Sequence, residues 1–450
     1  MDKFFTAIRK NYFDNTVELS KLSKTFFLWA VGLILVYVTN IFLVKIIGLN
    51  LFGKFSVFIS WVTLCSTLVA FGWDGYLIQK IPLLKNNSKG KIENTRLLSI
   101  AAFSFFFLFA LFCCALFLLS AYDSNLLTFI QPGQLTLFLI LIFLFAGISL
   151  LKALLKIFHI IVTVQWVEDI LKPIILFVII MFFYVEGINM ALSTLYIINI
   201  IAFTILFIAL IYFVYKTLKN NFETNKIQAN TENDRWVSKC FYFMCIYLGY
   251  SIFTRMELLF LGHFNKNDEA AKFQILLRIS ELVIIPDFLF NYFLPQKFSY
   301  YFADNKVKDA KALFNNSSKT IFILQLICFA GIMLIGYFYL QSFNIASPSM
   351  YLLLIGMSLS PFFYSLFGSA NLVLKTSGYE RYSFYALFIV LVLEMIANYL
   401  FIQPYGITAA VIISISSVFL YTLLLSVFLY KKLKFYNTVT KYLFFVKSAI

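Results

Sequence analysis

The sequence predicts an all-α polytopic membrane protein of about twelve transmembrane helices, arranged as two six-helix lobes related by a parallel repeat. Three observations predict it. Hydrophobic residues make up 62% of the 450-residue chain and charged residues 13%, far from the average of soluble proteins. The apolar residues gather into stretches of roughly 20, the length a helix needs to cross a bilayer core about 30 Å thick. The two halves also echo each other. Gly48 precedes Lys54-Phe55 as Gly262 precedes Lys272-Phe273, and Gly187-Ile188-Asn189-Met190-Ala191 is matched by Gly406-Ile407-Thr408-Ala409-Ala410, at offsets of 214 to 219 residues. Paired lobes of this kind are the body plan of a carrier whose site lies between them.

Each span has its own boundaries. The first, 24–47, opens after Lys24 and closes at Gly48; the second, 54–79, opens at Lys54 and stops before Lys80. The third, 97–121, follows Arg96, and the fourth, 134–158, follows Pro132-Gly133. The fifth, 162–185, ends at Glu186-Gly187, and the sixth, 190–215, at Lys216. In the second half the spans are 237–262, 270–296, 319–341, 349–374, 382–402 and 405–430, bounded by Gly262, Lys297, Lys319, Pro348, Arg381, Pro404 and Lys431-Lys432. Period-two alternation is absent, so a β-barrel is not supported.

Basic residues give the orientation. With the N-terminus cytoplasmic, 30 of the 36 Lys and Arg fall on inside segments or span ends, Lys45, Lys54, Lys266 and Lys272 fall on the outer side, and only Arg255 and Arg278 remain, both within spans. That asymmetry is the positive-inside rule, and it supports an even number of spans with both ends inside. The net charge of +15 is therefore mostly a topological signal, with a secondary attraction to anionic cytoplasmic lipid. No basic soluble domain exists for nucleic acid. Residues 1–23 read as a cytoplasmic amphipathic N-terminus, with Phe4, Phe5, Ile8 and Tyr12 on one face, and not as a cleavable signal. Residues 24–215 form the expected N-lobe, 216–236 an Asn-rich cytoplasmic linker, 237–430 the C-lobe and 431–450 a basic cytoplasmic tail. The inside loop 297–319 is too short for a further domain, and the outer loops barely turn the chain.

Chemistry of the usual enzymatic kinds is not in evidence. Cys65, Cys113, Cys114, Cys240, Cys245 and Cys328 lie in apolar spans without metal-ligand neighbours, and His159 and His263 stand alone at loop ends. Phosphate-loop, nucleophile-elbow and zinc motifs are missing, so the sequence predicts neither cofactor, nor metal, nor enzyme.

Four phrases carry a family resemblance. They are Ile47-Gly48-Leu49-Asn50-Leu51-Phe52-Gly53-Lys54-Phe55-Ser56; Phe71-Gly72-Trp73-Asp74-Gly75-Tyr76; Arg255-Met256-Glu257-Leu258-Leu259-Phe260-Leu261-Gly262 with Ala271-Lys272-Phe273; and Asn398-Tyr399-Leu400-Phe401-Ile402-Gln403-Pro404-Tyr405-Gly406-Ile407-Thr408-Ala409-Ala410. In this order and spacing the chain resembles the polysaccharide flippase branch (Wzx-like) of the multidrug/oligosaccharidyl-lipid/polysaccharide exporter superfamily. Two departures sit at the outer surface: a longer turn from Gly262 to Lys272, and Gln403 where the family has an apolar residue. The resemblance implies a multi-pass protein of the bacterial inner membrane. It would carry undecaprenyl-pyrophosphate-linked oligosaccharide to the outer leaflet by alternating access, for O-antigen or capsule. Its partners would be that lipid-linked oligosaccharide, membrane lipids, and a polysaccharide polymerase and glycosyltransferases.

Charges inside spans rank the site residues, because each costs about 2.5–3.5 kcal/mol at mid-bilayer unless it meets a partner or a wet cavity. Arg255, Glu257, Arg278, Glu281, Asp287 and Glu394 are such charges, five of them in spans seven and eight. Arg278 and Glu281 share a helix face; Arg255 and Glu257, two apart, diverge. Read functionally, the two arginines bind the pyrophosphate and Glu257 and Glu281 complete a substrate site, since a guanidinium fork matches phosphate oxygens. Read structurally, Arg278 pairs with Glu281, and Arg255 with Glu394 or Glu257, stapling helices together. Asp287, after Pro286, is a candidate coupling or gating group or a cap on a distorted turn; Glu394 and Asp74 are the other coupling candidates. Asp74 and Glu168-Asp169 also fit solvated pairing with Lys80, Lys152 and Lys172 near the cytoplasmic ends.

A rival within transport is a cation-coupled multidrug exporter of the same superfamily, a reading that calls for a carboxylate in the first span, where 24–47 has none. A rival of another class is a polytopic polymerase or ligase of polysaccharide assembly, which would carry a large charged outer loop.

Overall fold

The computed structural model describes residues 16–78, 90–122, 133–157, 164–188, 190–221, 236–304 and 306–436. The described residues are helical throughout, without a strand. In chain order the helices are α1 (Thr16–Ala70), α2 (Gly90–Tyr122), α3 (Leu135–Ile157), a π-helical turn (Trp166–Leu171) leading into α4 (Lys172–Val185), α5 (Leu192–Asn221), α6 (Trp236–Phe253), α7 (Met256–His263), α8 (Asn267–Ala303), α9 (Val307–Ser342), α10 (Pro348–Leu359), α11 (Phe362–Leu366), α12 (Ala370–Thr376) and α13 (Glu380–Leu433).

Eight segments among the described residues are long and apolar enough to cross a membrane. Two of them hold two spans each, because α1 runs through a non-helical Gly48 (φ 77°, ψ 167°) and α13 through Gly406 (φ 56°, ψ −132°). The remaining two expected spans are α4 with its π-helical turn, and the charge-bearing α8. The chain is an all-α polytopic membrane protein. Apolar side chains also cover its surface: α2 exposes Phe103, Phe106, Phe107, Leu111, Phe117 and Leu118, a face that only hydrocarbon suits.

Two expected loops are tighter than the sequence suggested. The turn from Gly262 to Lys272 occupies only Phe264–Lys266, because Asn267-Asp268-Glu269 already form the first turn of α8, with the two acids favouring a helix N-terminus. The inside loop 297–319 shrinks in the same way: α8 runs to Ala303 and α9 starts at Val307. At that corner Lys306 Nζ donates to Asp304 at 3.0 Å, and this contact holds the Asp304 carboxyl below the usual carboxylate range. The chain also passes through Pro286 and Pro295 without leaving the helix. The linker residues 222–235, the N-terminal face Phe4 to Tyr12, His159, Lys80 and the tail beyond 436 lie outside the described residues.

The chain forms two compact units. The first holds the residues up to Gly48 and Phe58–Ser251; the second holds Leu49–Val57 and Ile252 onward. In the first, Phe58 stacks on Tyr196 (3.9 Å between centroids) and meets Phe138 edge-on, tying α1, α3 and α5 together. A second cluster gathers Trp73, Tyr76, Leu77, Leu97 and Ala101 around Cys240 of α6, with Trp73 stacked on Trp236. The backbone of α6 comes close here because Gly72 offers no side chain against Cys240 and Met244. This is why α6 packs with the first unit.

In the second unit, the Leu49–Val57 segment docks on the α7–α8 turn. A methyl at Gly53 would overlap the Asn267 carbonyl, and one at Gly262 would press on Val57. The two glycine phrases that mark the repeat therefore pack on each other. Gly187 and Gly406, the other matched pair, both take positive φ (64° and 56°). At Gly406 the geometry leaves no alternative. The Glu269 carboxylate accepts the Ile407 N–H at 2.5 Å, capping the second arm of α13, and occupies the space a Cβ would need. Gly406→Ala is therefore expected to lose about 1–3 kcal/mol from backbone strain alone. A lower midpoint of thermal unfolding in detergent checks this; an unchanged midpoint would mean the kink tolerates a side chain.

Candidate functional site

The charged side chains singled out in the sequence fall into two groups in the second unit and one in the first. The first group is cationic. Arg255 sits where the helix breaks between α6 and α7, at φ −134°, and Arg278 projects from α8. Arg278 Nη1 pairs with Glu281 one turn on, at 3.1 Å, as their spacing predicts. Arg255 lies within Coulombic reach of both Arg278 and Glu281, and Tyr339 of α9 approaches the same two residues. Two guanidinium groups thus lie near one carboxylate. The side chains of Arg278 and Glu281 remain 37% and 34% exposed. Tyr339 carried no signal in the sequence beyond being one of many aromatics.

The second group is acidic and buried. Glu257 of α7 and Glu394 of α13 are each 2% exposed, and their carboxyl groups meet. Asn398, one turn beyond Glu394, is fully buried and donates its Nδ2 to the Glu394 carbonyl at 2.9 Å. Three oxygens remain without a hydrogen-bond partner: Glu257 Oε1, Glu394 Oε2 and Asn398 Oδ1. The two glutamates meet each other, while Arg255 lies within Coulombic reach of Arg278 and Glu281. The break at Thr254-Arg255 sends the two side chains of α7's first turn in different directions, Arg255 toward α8 and Glu257 toward α13. Asn398 was legible in the sequence as the residue four beyond Glu394, on the same helix face.

In an apolar wall two carboxylates in contact cannot both stay ionised without a counter-charge, so the pair is suited to a shared proton or a small cation. Nothing in the described residues assembles three or more His, Cys, Asp or Glu into a metal site. The carboxyl pair with the Asn398 oxygen suits a proton or a monovalent hard cation.

Asp287, after Pro286, is buried within α8. If it carries a coupling proton, Asp287→Asn flattens the pH dependence of transport; an unchanged profile removes it from the mechanism.

The third group lies in the first unit. Lys152 of α3 pairs with Glu168 at 2.8 Å, as expected. Asp74 differs from expectation. Its Oδ2 accepts from Ser149 Oγ at 3.1 Å and its Oδ1 from the Gly75 N–H at 3.0 Å. The reversal at Phe71 and Gly72, both at positive φ, turns the carboxylate back toward α3. Glu168 and Asp169 occupy a π-helical turn, where the Asp169 carbonyl packs directly on Gly32 of α1.

Solved structures share this arrangement of helices. A multidrug resistance MATE family transporter of the MOP superfamily, in an inward-facing conformation, superposes with a TM-score of 0.66 at 12% identity, over 90% of this chain and 94% of its own. The fold is that of the MATE and MurJ transporters. The lipid II flippase MurJ, in an inward closed conformation, gives a TM-score of 0.64 at 15% identity over 94% of this chain and 89% of its own. A MOP superfamily transporter from Pyrococcus furiosus, described as having a binding pocket of reverse polarity, gives 0.54 at 13% identity, over 92% and 94%. No family model and no curated protein matches the sequence. The likeness is therefore one of fold, at identities where side chains have diverged.

Proposed function

We propose that this protein is a flippase of the bacterial inner membrane. It moves undecaprenyl-pyrophosphate-linked oligosaccharide from the cytoplasmic to the outer leaflet for surface polysaccharide, by alternating access and at the expense of an ion gradient. The observation that carries this reading is the clustering of Arg255 and Arg278, two guanidinium groups within Coulombic reach of one another, on helices that cross the membrane. A pyrophosphate bears the negative charge that such a cluster attracts, and planar guanidinium groups meet its oxygens two at a time. The Glu257–Glu394 pair takes the ion. Its occupancy changes the charge buried between α7 and α13, which links the ion to the conformation of those helices. The MurJ likeness supports a lipid-linked substrate.

A cation-coupled multidrug exporter is the rival the MATE likeness supports. The arginine pair speaks against it, since an organic cation would be repelled there. The absence of any carboxylate from 24–47 also stands against it. A polymerase or ligase would carry a large charged outer loop, and the outer loops of this sequence are short.

The test is complementation of a cell lacking its polysaccharide flippase, with surface glycan as the readout. Restored glycan supports the reading. Failure with the protein confirmed in the membrane, together with raised resistance to cationic drugs, would replace it with the exporter.

A further inference from the structure

The two arms of α13 enclose a cavity of about 540 Å³ between them, within the second unit. Its walls are apolar: Leu393, Ala397 and Phe401 come from the first arm, and Tyr405, at 66% exposed, and Ile412 lie at and beyond the Gly406 kink. At its rim Leu393, Phe401, Tyr405 and Ile412 are themselves exposed, an apolar rim without a charge, as suits an opening on hydrocarbon. Of the residues lining it only Glu394 carries a carboxyl group, and one of its oxygens has no hydrogen-bond partner. An apolar pocket of drug-like size with one unpaired buried polar group at its floor is the usual form of a small-molecule site.

We propose that this groove is a lateral ligand site, entered from the bilayer, that takes uncharged, lipid-soluble, carboxyl-directed molecules and presents Glu394 to them. The occupant is uncharged because it arrives through hydrocarbon, and carboxyl-directed because Glu394 is the one reactive group it meets. Such a molecule occupies the carboxyl pair and stops the ion step, a consequence that rests on the ion role given to the pair above. Hydrophobic carbodiimides are the reactive members of this class. The protonated carboxyl adds across one C=N bond: its oxygen bonds the central carbon and its proton passes to nitrogen. The O-acylisourea then rearranges to a stable N-acylurea, and nothing leaves.

The experiment treats the full-length protein, in membranes, with dicyclohexylcarbodiimide, and in parallel with a water-soluble carbodiimide bearing a fixed charge. Adducts are located by peptide mass spectrometry. The expected result is an adduct on Glu394 with the hydrophobic reagent and none with the charged one. Ala397→Trp and, from an exposed position, Ile412→Trp fill the groove while keeping both glutamates. Loss of the adduct in either variant, with size-exclusion behaviour unchanged, places the route through the groove. Equal labelling by the charged reagent would show access from water and overturn the proposal, as would an unlabelled Glu394 in folded protein. Labelling reads access whether or not the protein transports anything. A failure of the flippase reading would leave the adduct in place, whereas a failure of this proposal would remove the adduct and leave complementation intact.

Discussion

Arg278→Ala is expected to abolish export while the protein stays inserted and folded. Each charged hydrogen bond to phosphate contributes about 1.5–3 kcal/mol, so loss of a two-pronged contact weakens substrate binding by roughly two to four powers of ten. The folded state is expected to bear the change because Arg278 and Glu281 are partly exposed and their bridge lies within one helix. Arg278→Lys keeps the charge but loses the planar fork, and partial recovery is expected. Surface glycan in complemented cells, with protein level in the membrane measured alongside, checks both variants. Full recovery by lysine would reduce the arginine to a point charge, and loss of the protein from the membrane would return the pair to a structural role.

The second large effect is expected at the carboxyl pair. Glu394→Gln keeps the shape and hydrogen-bonding capacity of the protonated side chain but cannot release a proton or ligate a cation as a carboxylate does. In reconstituted vesicles transport should cease to respond to an imposed proton or Na⁺ gradient, with substrate binding retained. Glu257→Gln should behave the same way, because the two groups act as a unit. Glu257→Leu goes further, leaving Glu394 with an apolar neighbour; stranding one member of a buried charged set typically costs about 3–5 kcal/mol, so lower thermal stability is expected too. If either Gln variant still concentrates substrate along the gradient, the coupling ion binds elsewhere.

The two groups were legible in the sequence to different degrees. Arg278 and Glu281 could be paired because spacing on a helix fixes direction, and the 3.1 Å bridge follows from a separation of three. The Glu257–Glu394 pair could not, because 137 residues separate its members and only tertiary packing brings α7 against α13. The cost of an intramembrane charge marked both glutamates as important without saying what each faces. Asp74 shows the same limit: a chain reversal brings it to Ser149, 75 residues away in sequence.

Much was determined by the sequence alone. Apolar run length sets the number of spans, because bilayer thickness is a fixed ruler and backbone groups in hydrocarbon must pair within a helix. The basic residues orient those spans, and the paired glycine phrases disclose the repeat. Tertiary structure alone decided which side chains meet. It placed Gly53 on Asn267, Gly406 beneath Glu269, and the Glu394 carboxyl at a groove between the two arms of α13. The physical reason is that crossing a membrane is a property of single helices, whereas a site is made by contacts between helices, where an ångström decides and sequence distance does not count.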